Sequence, residues 1–384
     1  MRDRRPVQAL RPGLGERRFR LSPGLELVPL GDVAEEDRAG LGDGLFGLAY
    51  SQATGRPVLA IDVMTASGLL RLEAGGRRGA HGNGLGLDDG QVARLVCDGV
   101  VEVAGETGRF FSGAAAYGIL FGNPEDARPA PLSPPHADVS LCALEYVVLL
   151  PVAEASTIAR RLYAFNAVPR SRHWEARLGD EARERSWLRL ESLDADPAFR
   201  RLYAPYRPNP HDDPWYRWRL RSGADGAAPR YKAYVATSPE SLPATIEAVV
   251  EVCVEQEIPA FKVGRGCCGI LRPDRCIVYV HDKQALGRAG RALQAKLRGL
   301  PCRKVPFTAP LGDCPLLSWG VDPPHAAAAR PGATSSWRRW ITRRLADAIA
   351  QTGGLATEVR IAFALQRLRL EGVDVASWRA PVDW

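Results

Sequence analysis

The sequence is poor in lysine. Only five of its 51 basic residues are lysines, and these are Lys232, Lys262, Lys283, Lys296 and Lys304. Arginine cannot serve as a proton-transfer base in a protein, whereas a desolvated lysine can. Lys283 and Lys296 fall on a helical pattern and fit an ordinary solvated face. Lys232 and Lys262 lie inside apolar strand patterns, so the sequence predicts a functional site around them.

Long apolar runs are also missing. The longest candidate, residues 139–152, is interrupted by Glu145 and Pro151, and about 18 apolar residues are needed to span a bilayer. The N-terminal residues are basic but lack the apolar stretch of a secretory signal. We therefore expect a cytoplasmic protein with no membrane partner.

The eight cysteines form no CxxC pair and no Cys/His spacing typical of a zinc site. Cys253 and Cys276 sit in apolar surroundings and are predicted to be small core residues. The adjacent Cys267 and Cys268 lie in a glycine-rich stretch without a histidine nearby in sequence, which favours a structural role. The sequence thus predicts no metal site and no cofactor.

The length of 384 residues fits two or three domains. Along the chain we predict an irregular arm, a small mixed α/β domain, a helical segment, a βαββαβ core, and a loop followed by helices; their bounds are 1–25, 26–130, 138–225, 228–310 and 311–384. A proline-rich linker, residues 122–138, separates the second and third segments. The expected fold class is α+β.

The second segment contains QVARLVCDG, a helix that Asp88 or Asp89 would cap, followed by VVEVAG, a GETG turn and RFFSG. Helix, strand, turn and strand resemble a winged helix, which binds DNA or takes up a peptide as an added strand. A purely structural hairpin is an equal alternative. Residues 170–222 interleave arginine with aromatic residues, as base-stacking surfaces do, but their many acidic residues favour amphipathic helices and argue against nucleic acid.

The clearest pattern begins at Arg230. YKAYVATS, IPAFKVG, RCIVYVHD and CRKVPFT are predicted strands, and apolar periodicity predicts one helix after the first strand and another from Asp282 to Leu300. This order is the split βαβ arrangement of ferredoxin-like units. We expect a four-stranded antiparallel sheet with both helices on one face over residues 230–308. Two amphipathic helices, near 336–352 and 357–370, follow.

Three of these pieces, RYKAYVATSPE, AFKVG and RPDRCIVYVHD, resemble strands of the phosphoserine/phosphothreonine lyase superfamily. That superfamily includes type III effector lyases and the lyase domains of class III and IV lanthionine synthetases. The resemblance covers about residues 228–310. It implies elimination of phosphate from a phosphorylated Ser or Thr: a lysine removes the Cα proton, a histidine protonates the leaving oxygen, and arginines hold the phosphate.

The resemblance also implies residue roles. Lys262 matches the base, Lys232 matches a phosphate-side lysine, and Arg275 falls where the third strand would carry a lysine. Tyr234 stands where the family has its acid histidine, and a phenol with a pKa near 10 is the poorer acid. His281 is the candidate substitute for that acid. Arg265, Arg272 and Arg275 are candidate phosphate ligands, because arginine forks match phosphate.

The run PFTAPLGDCPLLSWGVDPP is either a packed loop or a substrate-binding loop, in which Trp319 and Asp322 would contact substrate. Asp322 and His325 could form an acid/base pair, or Asp322 could cap a helix that starts at the prolines.

The leading hypothesis is a tailoring protein that modifies a ribosomally made precursor peptide, by elimination or by another modification such as backbone cyclisation. Its partners would be that peptide and other tailoring enzymes, and no kinase motif is visible, so another protein would phosphorylate the peptide. One alternative is a scaffold that has lost its acid and only binds a peptide or partner enzyme. The other is a winged-helix nucleic-acid binder. The sequence leaves a homodimer or heterodimer open.

Overall fold

A computed structural model describes residues 10–38, 45–75, 80–122, 136–205, 214–221, 229–324, 336–382 and 384. Helices and antiparallel sheets are both abundant, so the α+β fold class is confirmed. No helix within these ranges is both long enough and apolar enough to cross a membrane.

The N-terminal part contains two small antiparallel sheets and short helices. Its elements are β1 (Arg18–Leu21), β2 (Leu25–Pro29), α1 (Glu35–Arg38), β3 (Leu45–Ser51), β4 (Arg56–Asp62), α2 (Val63–Gly75), β5 (Ala80–His81), α3 (Asp89–Cys97), β6 (Val101–Ala104), β7 (Phe110–Phe111) and α4 (Tyr117–Phe121). The sheets have the strand orders β5-β1-β6-β7 and β2-β3-β4. Because β1 lies inside the first sheet, an irregular arm over residues 1–25 is wrong for residues 18–21.

The predicted helix–strand–turn–strand unit is present as α3, β6 and β7. Asp88 caps α3: its side chain accepts a hydrogen bond from the Gln91 amide, and the Gln91 side chain accepts one from the Asp88 amide. This reciprocal pair is a capping box, which satisfies two otherwise unpaired amides at the start of the helix.

The central part is mostly helical, with α5 (His136–Leu149), α6 (Ala155–Ala164), α7 (Arg172–Leu178), α8 (Glu181–Trp187), α9 (Leu190–Ala195) and α10 (Pro197–Leu202). It ends in two strands, β8 (Tyr203–Pro205) and β9 (Trp215–Leu220). The segment predicted as helical over residues 138–225 therefore also contains two strands near its end. In β9, Tyr216 and Trp218 belong to one core while Trp215 packs in another, so residues two apart share a face, as in a strand.

The largest sheet has seven strands in the order β13-β14-β10-β12-β11-β9-β8, and every neighbouring pair is antiparallel. Its later elements are β10 (Tyr231–Val235), α11 (Leu242–Gln256), β11 (Ala260–Gly264), α12 (Gly266–Ile270), β12 (Cys276–Val280), α13 (Lys283–Lys296), β13 (Ala309–Pro310) and β14 (Leu317–Val321). The inner order β14-β10-β12-β11 is that of the predicted split βαβ unit.

The fourth strand of this unit is not the one predicted. CRKVPFT forms only an isolated bridge between Cys302 and Thr237. Pro306 cannot donate to a strand ladder, and Phe307 has a positive φ of 61°. Instead β14 pairs with β10 along its whole length. The segment after residue 308 therefore places Gly320 and Asp322 beside Lys232.

Helices α11 and α13 cover one face of this sheet. Alternate strand residues such as Phe261, Val263, Val278 and Val280 point into the apolar core beneath these helices. Both helices therefore lie on one face, as predicted.

A second apolar core joins the N-terminal part to α5, α6 and the two last helices, α14 (Trp337–Ala350) and α15 (Thr357–Leu370). Helix α14 reaches the other face of the large sheet at Gly320, where an added Cβ would lie 2.4 Å from the Trp337 ring. Only glycine permits this approach. Consequently α14 closes one end of the face that carries the lysines.

Candidate active site

The two lysines in strands project from the sheet face opposite α11 and α13. Lys232 on β10 is paired in register with Tyr279 on β12, and Lys262 on β11 lies between Ile277 on β12 and Arg217 on β9. Their strand neighbours Ala233, Phe261 and Val263 belong to the helix-covered core. Because side chains alternate along a strand, both lysines share the opposite face.

Aromatic rings line the space between the lysines. The Nζ atoms of Lys232 and Lys262 lie 5.3 and 5.5 Å from the centroid of the Tyr279 ring, so less than about 11 Å separates them. The Lys262 Nζ also lies 4.0 Å from the centroid of the Trp215 ring. These rings form apolar walls beside the two side-chain nitrogens and limit access of water.

Lys232 is held by an ion pair. Its Nζ is 2.6 Å from Oδ2 of Asp322, and the lysine as a whole is only 6% exposed. The other carboxylate oxygen of Asp322 accepts a hydrogen bond of 3.0 Å from the main-chain amide of Trp337, the first residue of α14. Asp322 therefore does act at a helix start, but at α14 and not at the prolines that follow it.

Lys262 differs from Lys232 because no carboxylate in the described part of the chain forms an ion pair with it. Burial, and secondly the charge of Lys232, lower the pKa of Lys262 from 10.5 to about 7. Arg217 and Arg272 act in the same direction, and Asp274 opposes them. A lysine with this pKa is largely a free amine just above neutral pH, which is the protonation state of a general base.

A buried cluster with one carboxylate lies beside Trp215. Asp274, which is 2% exposed, is hydrogen-bonded by Arg272 and Tyr163 and ion-paired with Arg338. The two arginines hold the pKa of Asp274 far below its usual range against the effect of burial. The guanidinium carbon of Arg272 is 4.7 Å from the centroid of the Trp215 ring, the same ring that Lys262 contacts.

Two candidate acids are badly placed. Tyr234 lies on the lysine face of β10, but it is only 1% exposed, and its hydroxyl has no hydrogen-bond partner among the described residues. Burial raises the pKa of Tyr234 well above 10, so it does not release a proton near neutral pH. His281 follows the end of β12 and is exposed to solvent.

Three other predicted contacts lie elsewhere. The guanidinium of Arg275 is completely buried and donates to the main-chain oxygens of Ile270 and Thr237. Arg265 pairs with Glu181 of α8. Trp319 stacks on Tyr231 and packs against the core under α11 and α13. Residue 319 has the opposite strand parity to Gly320, so Trp319 lies on the face away from Lys232 and Lys262. His325 lies outside the described residues.

Sequence patterns did not indicate the aromatic walls or the buried cluster. These residues are Tyr163, Trp215, Arg217, Asp274, Tyr279 and Arg338. The alternation in WYRWRL could have predicted Trp215 and Arg217 on one strand face. Nothing in the sequence indicates that Tyr163 of α6 and Arg338 of α14 meet Asp274, because they are separated from it by more than sixty residues in each direction.

No family model matches the chain, and no curated protein matches it. Solved structures that resemble it do so weakly. An effector protein from Pseudomonas syringae pv. syringae strain 61 has 13% sequence identity and a TM-score of 0.39, and the match covers 63% of this chain and 97% of the effector. The phosphothreonine lyase SpvC of Salmonella has 13% identity and a TM-score of 0.29, with coverage of 53% and 97%. The phosphothreonine lyase effector VirA of Chromobacterium violaceum has 13% identity and a TM-score of 0.27, with coverage of 32% and 66%.

The chemistry available at this face follows from its own residues. A desolvated amine, Lys262, lies near three cations, Lys232, Arg217 and Arg272, and between two aromatic rings. No group of three or more His, Cys, Asp or Glu in the described ranges could hold a metal ion. The arrangement suits removal of a proton from a substrate that carries an anionic group.

Proposed function

We propose that the protein eliminates phosphate from a phosphorylated serine or threonine of a peptide. The observation that supports this most strongly is Lys262, a half-buried lysine whose pKa desolvation lowers to about 7 and that has cations and aromatic rings around it. A proton on the Cα of a peptide is weakly acidic, so its removal requires a desolvated base held against it. An anionic leaving group requires fixed positive charge nearby.

In this mechanism the neutral Nζ of Lys262 takes the Cα proton and becomes an ammonium. The electrons of the Cα–H bond form the Cα=Cβ bond. The Cβ–O bond breaks, and phosphate leaves with that electron pair. Lys262 then returns its proton to solvent, and the peptide retains a dehydroalanine or dehydrobutyrine residue.

Positive charge, and not a histidine acid, supports departure of the phosphate in this proposal. Tyr234 keeps its proton because burial raises its pKa. Arg217 and Arg272 lie close enough to Lys262 to lower its pKa, as does Lys232. These cations stabilise the departing phosphate, which takes a proton from water once it is released.

The wider role that we propose is maturation of a ribosomally made precursor peptide, phosphorylated by another protein. The N-terminal unit of α3, β6 and β7 supports a peptide substrate, because β7 is an edge strand of its sheet as far as the described residues go. An edge strand has unpaired main-chain groups, which can bind an extended peptide as one more strand.

The test is incubation of purified protein with peptides that carry phosphoserine or phosphothreonine, followed by mass spectrometry. We expect loss of phosphoric acid from the peptide and capture of the dehydrated residue by an added thiol. The unphosphorylated peptide and the variant Lys262→Ala are the controls. Binding of the phosphopeptide without loss of phosphate, in the presence of every pathway protein, would favour the alternative of a non-catalytic scaffold.

A further inference from the structure

Three separate parts of the chain meet at Asp274. Tyr163 belongs to α6, Arg338 is the second residue of α14, and Arg272 and Asp274 lie in the turn between α12 and β12. Helices α6 and α14 belong to the core shared with the N-terminal part. The sheet that carries the lysines has a different core.

The contacts within this cluster define what each residue can do. Arg272 donates from Nε to Oδ1 of Asp274 at 3.0 Å and from Nη2 to Oδ2 at 3.2 Å, and Nη2 also donates to the Tyr163 hydroxyl at 2.6 Å. That hydroxyl donates to Oδ2 of Asp274 at 3.1 Å. The remaining nitrogen of Arg272, Nη1, has no hydrogen bond with a described residue.

Arg338 is fully buried and has no access to a substrate. Its Nη1 lies 2.8 Å from Oδ2 of Asp274, its Nη2 donates to the main-chain oxygen of Tyr163 at 2.8 Å, and its Nε donates to that of Pro306 at 3.1 Å. These contacts fix both the guanidinium and the carboxylate that it neutralises. Such a residue can affect a ligand only through another residue.

The net charge of the cluster determines how Arg338 affects a ligand at Arg272. Without Arg338, Asp274 and Arg272 would be a neutral pair, and Arg272 would have little attraction for an anion. With Arg338, the cluster has two positive charges and one negative charge, and its surplus charge lies on the side of Arg272, whose side chain is 22% exposed. Arg272 and Lys262 contact the same Trp215 ring, so this surplus charge lies at the catalytic face.

We propose that Arg338 is a positioning residue that neutralises Asp274 and thereby keeps Arg272 available to bind the phosphate group of the substrate. This inference rests on the proposed function, because it assigns Arg272 to the phosphate. It also makes helix α14, from the other core, a necessary part of the anion site.

The probe is inorganic phosphate, titrated calorimetrically into the full-length protein at one pH and one ionic strength, since salt screens charge. Arg338→Met should weaken phosphate binding by about tenfold or more, because one nearby buried charge is lost. The double variant Asp274→Asn, Arg338→Met gives the cluster a net charge of +1 again, because Arg272 is then its only charged residue. It also leaves no buried carboxylate without a partner. It should therefore recover most of the phosphate affinity.

A matched control is Arg367→Met. Arg367 of α15 is also a buried arginine, and it pairs with the buried Asp98 in the core shared by α14 and α15. Its loss removes a comparable ion pair in a core that does not contain Trp215, so phosphate affinity should stay within about twofold of the wild type while the melting temperature falls.

The outcomes separate the two proposals. If the wild-type protein does not bind phosphate, the anion site of the proposed function is wrong. If it binds phosphate and Arg338→Met binds equally well, only the role of Arg338 is overturned. A double variant that is as weak as, or weaker than, Arg338→Met would show that Arg338 acts through packing and not through charge, which also overturns this role. The double variant carries the test if the single variant does not fold.

Discussion

The two faces of the large sheet are made by alternate residues of the same strands, yet they have opposite chemistry. On one face, Phe261 and Val263 pack in the largely apolar core under α11 and α13. On the other, Lys262, the residue between them, is a half-buried amine whose pKa desolvation lowers to about 7. The first face stabilises the fold, and the second has a cost in stability because it desolvates charge. A costly group retained in the interior is a candidate for function.

The two strand lysines show the same contrast on a smaller scale. Lys232 has a carboxylate partner at 2.6 Å, whereas Lys262 has aromatic rings and other cations around it. An ion pair stabilises the charged form of a lysine, and burial beside cations stabilises the neutral form. The environment therefore pairs Lys232 with a carboxylate and lowers the pKa of Lys262.

The largest expected effect is on catalysis at Lys262. Lys262→Ala should reduce turnover of a phosphopeptide by about a thousandfold or more, because the general base is lost. Lys262→Arg should not restore turnover, since arginine keeps the positive charge but cannot release its proton at neutral pH. Rates of peptide dehydration measured by mass spectrometry give the comparison.

Near-normal activity of Lys262→Arg would exclude the base and make Lys262 an anion-binding residue. Both variants should bind the phosphopeptide and melt as single folded species, which circular dichroism can establish before the rates are compared.

The next largest effect is on stability, at the residue beside Lys262. Phe261 stacks on Trp218 with a centroid distance of 4.9 Å and meets Tyr203 edge-on at 5.6 Å. Phe261→Ala should lower the free energy of unfolding by about 3–5 kcal/mol, as for other buried phenylalanines. Denaturant titration measures this loss, and a change below about 1 kcal/mol would mean that the helix-covered face is not the stabilising one.

Lys262→Met tests the loss of stability that comes from desolvating Lys262 on the lysine face. Near neutral pH this substitution should increase the free energy of unfolding. Between pH 7 and 10.5 the unfolded chain holds the proton of Lys262 and the folded protein does not. The stability of the wild type should therefore rise with pH across this window, by about 2–4 kcal/mol relative to Lys262→Met. The measurement is the unfolding midpoint of each protein from pH 6 to 10. A difference between the two proteins that does not change with pH would contradict this prediction.

The periodic part of the fold could be predicted from the sequence. The patterns of YKAYVATS and IPAFKVG predict the strands, helical periodicity predicts α11 and α13, and the scarcity and strand positions of Lys232 and Lys262 predict a common site. The β-branched and aromatic residues of CRKVPFT predict a strand. This prediction is wrong because Pro306 cannot donate to a strand ladder. The local pattern does not show that the backbone at Phe307 has a positive φ.

The remainder of the site depends on contacts between distant segments. Tyr163 and Arg338 meet Asp274 only because α6 and α14 pack together at one end of the lysine face. Arg272 and Arg275 are three residues apart, and the sequence offers both as phosphate ligands. Only the structure shows that the guanidinium of Arg275 is occupied by main-chain oxygens.

A smaller effect is expected on the pH dependence of catalysis. The rate should rise with pH through about 7, because Lys262 must lose its proton to act as the base. The charge of Lys232 contributes to this low pKa, so Lys232→Met should move the midpoint of the rise upward by up to about one pH unit. A profile of kcat/KM against pH for the two proteins tests the shift, because kcat/KM reports the pKa values of the free enzyme. A midpoint that moves downward would mean that the two lysines do not repel each other.

The smallest effect on catalysis is expected at Trp319, which lies on the helix-covered face of β14. Trp319 stacks on Tyr231 with a centroid distance of 6.3 Å and contacts the core under α11 and α13. Trp319→Leu should lower the free energy of unfolding by about 1–2 kcal/mol, through lost packing. It should leave KM for the phosphopeptide within about twofold, because the side chain points away from Lys232 and Lys262.

Trp215→Leu is the matched substitution on the opposite face, and it should raise KM, since Trp215 contacts both Lys262 and Arg272. If Trp319→Leu raised KM as much as Trp215→Leu, the substrate would have to contact both faces of the sheet, and the division between a stabilising face and a catalytic face would fail.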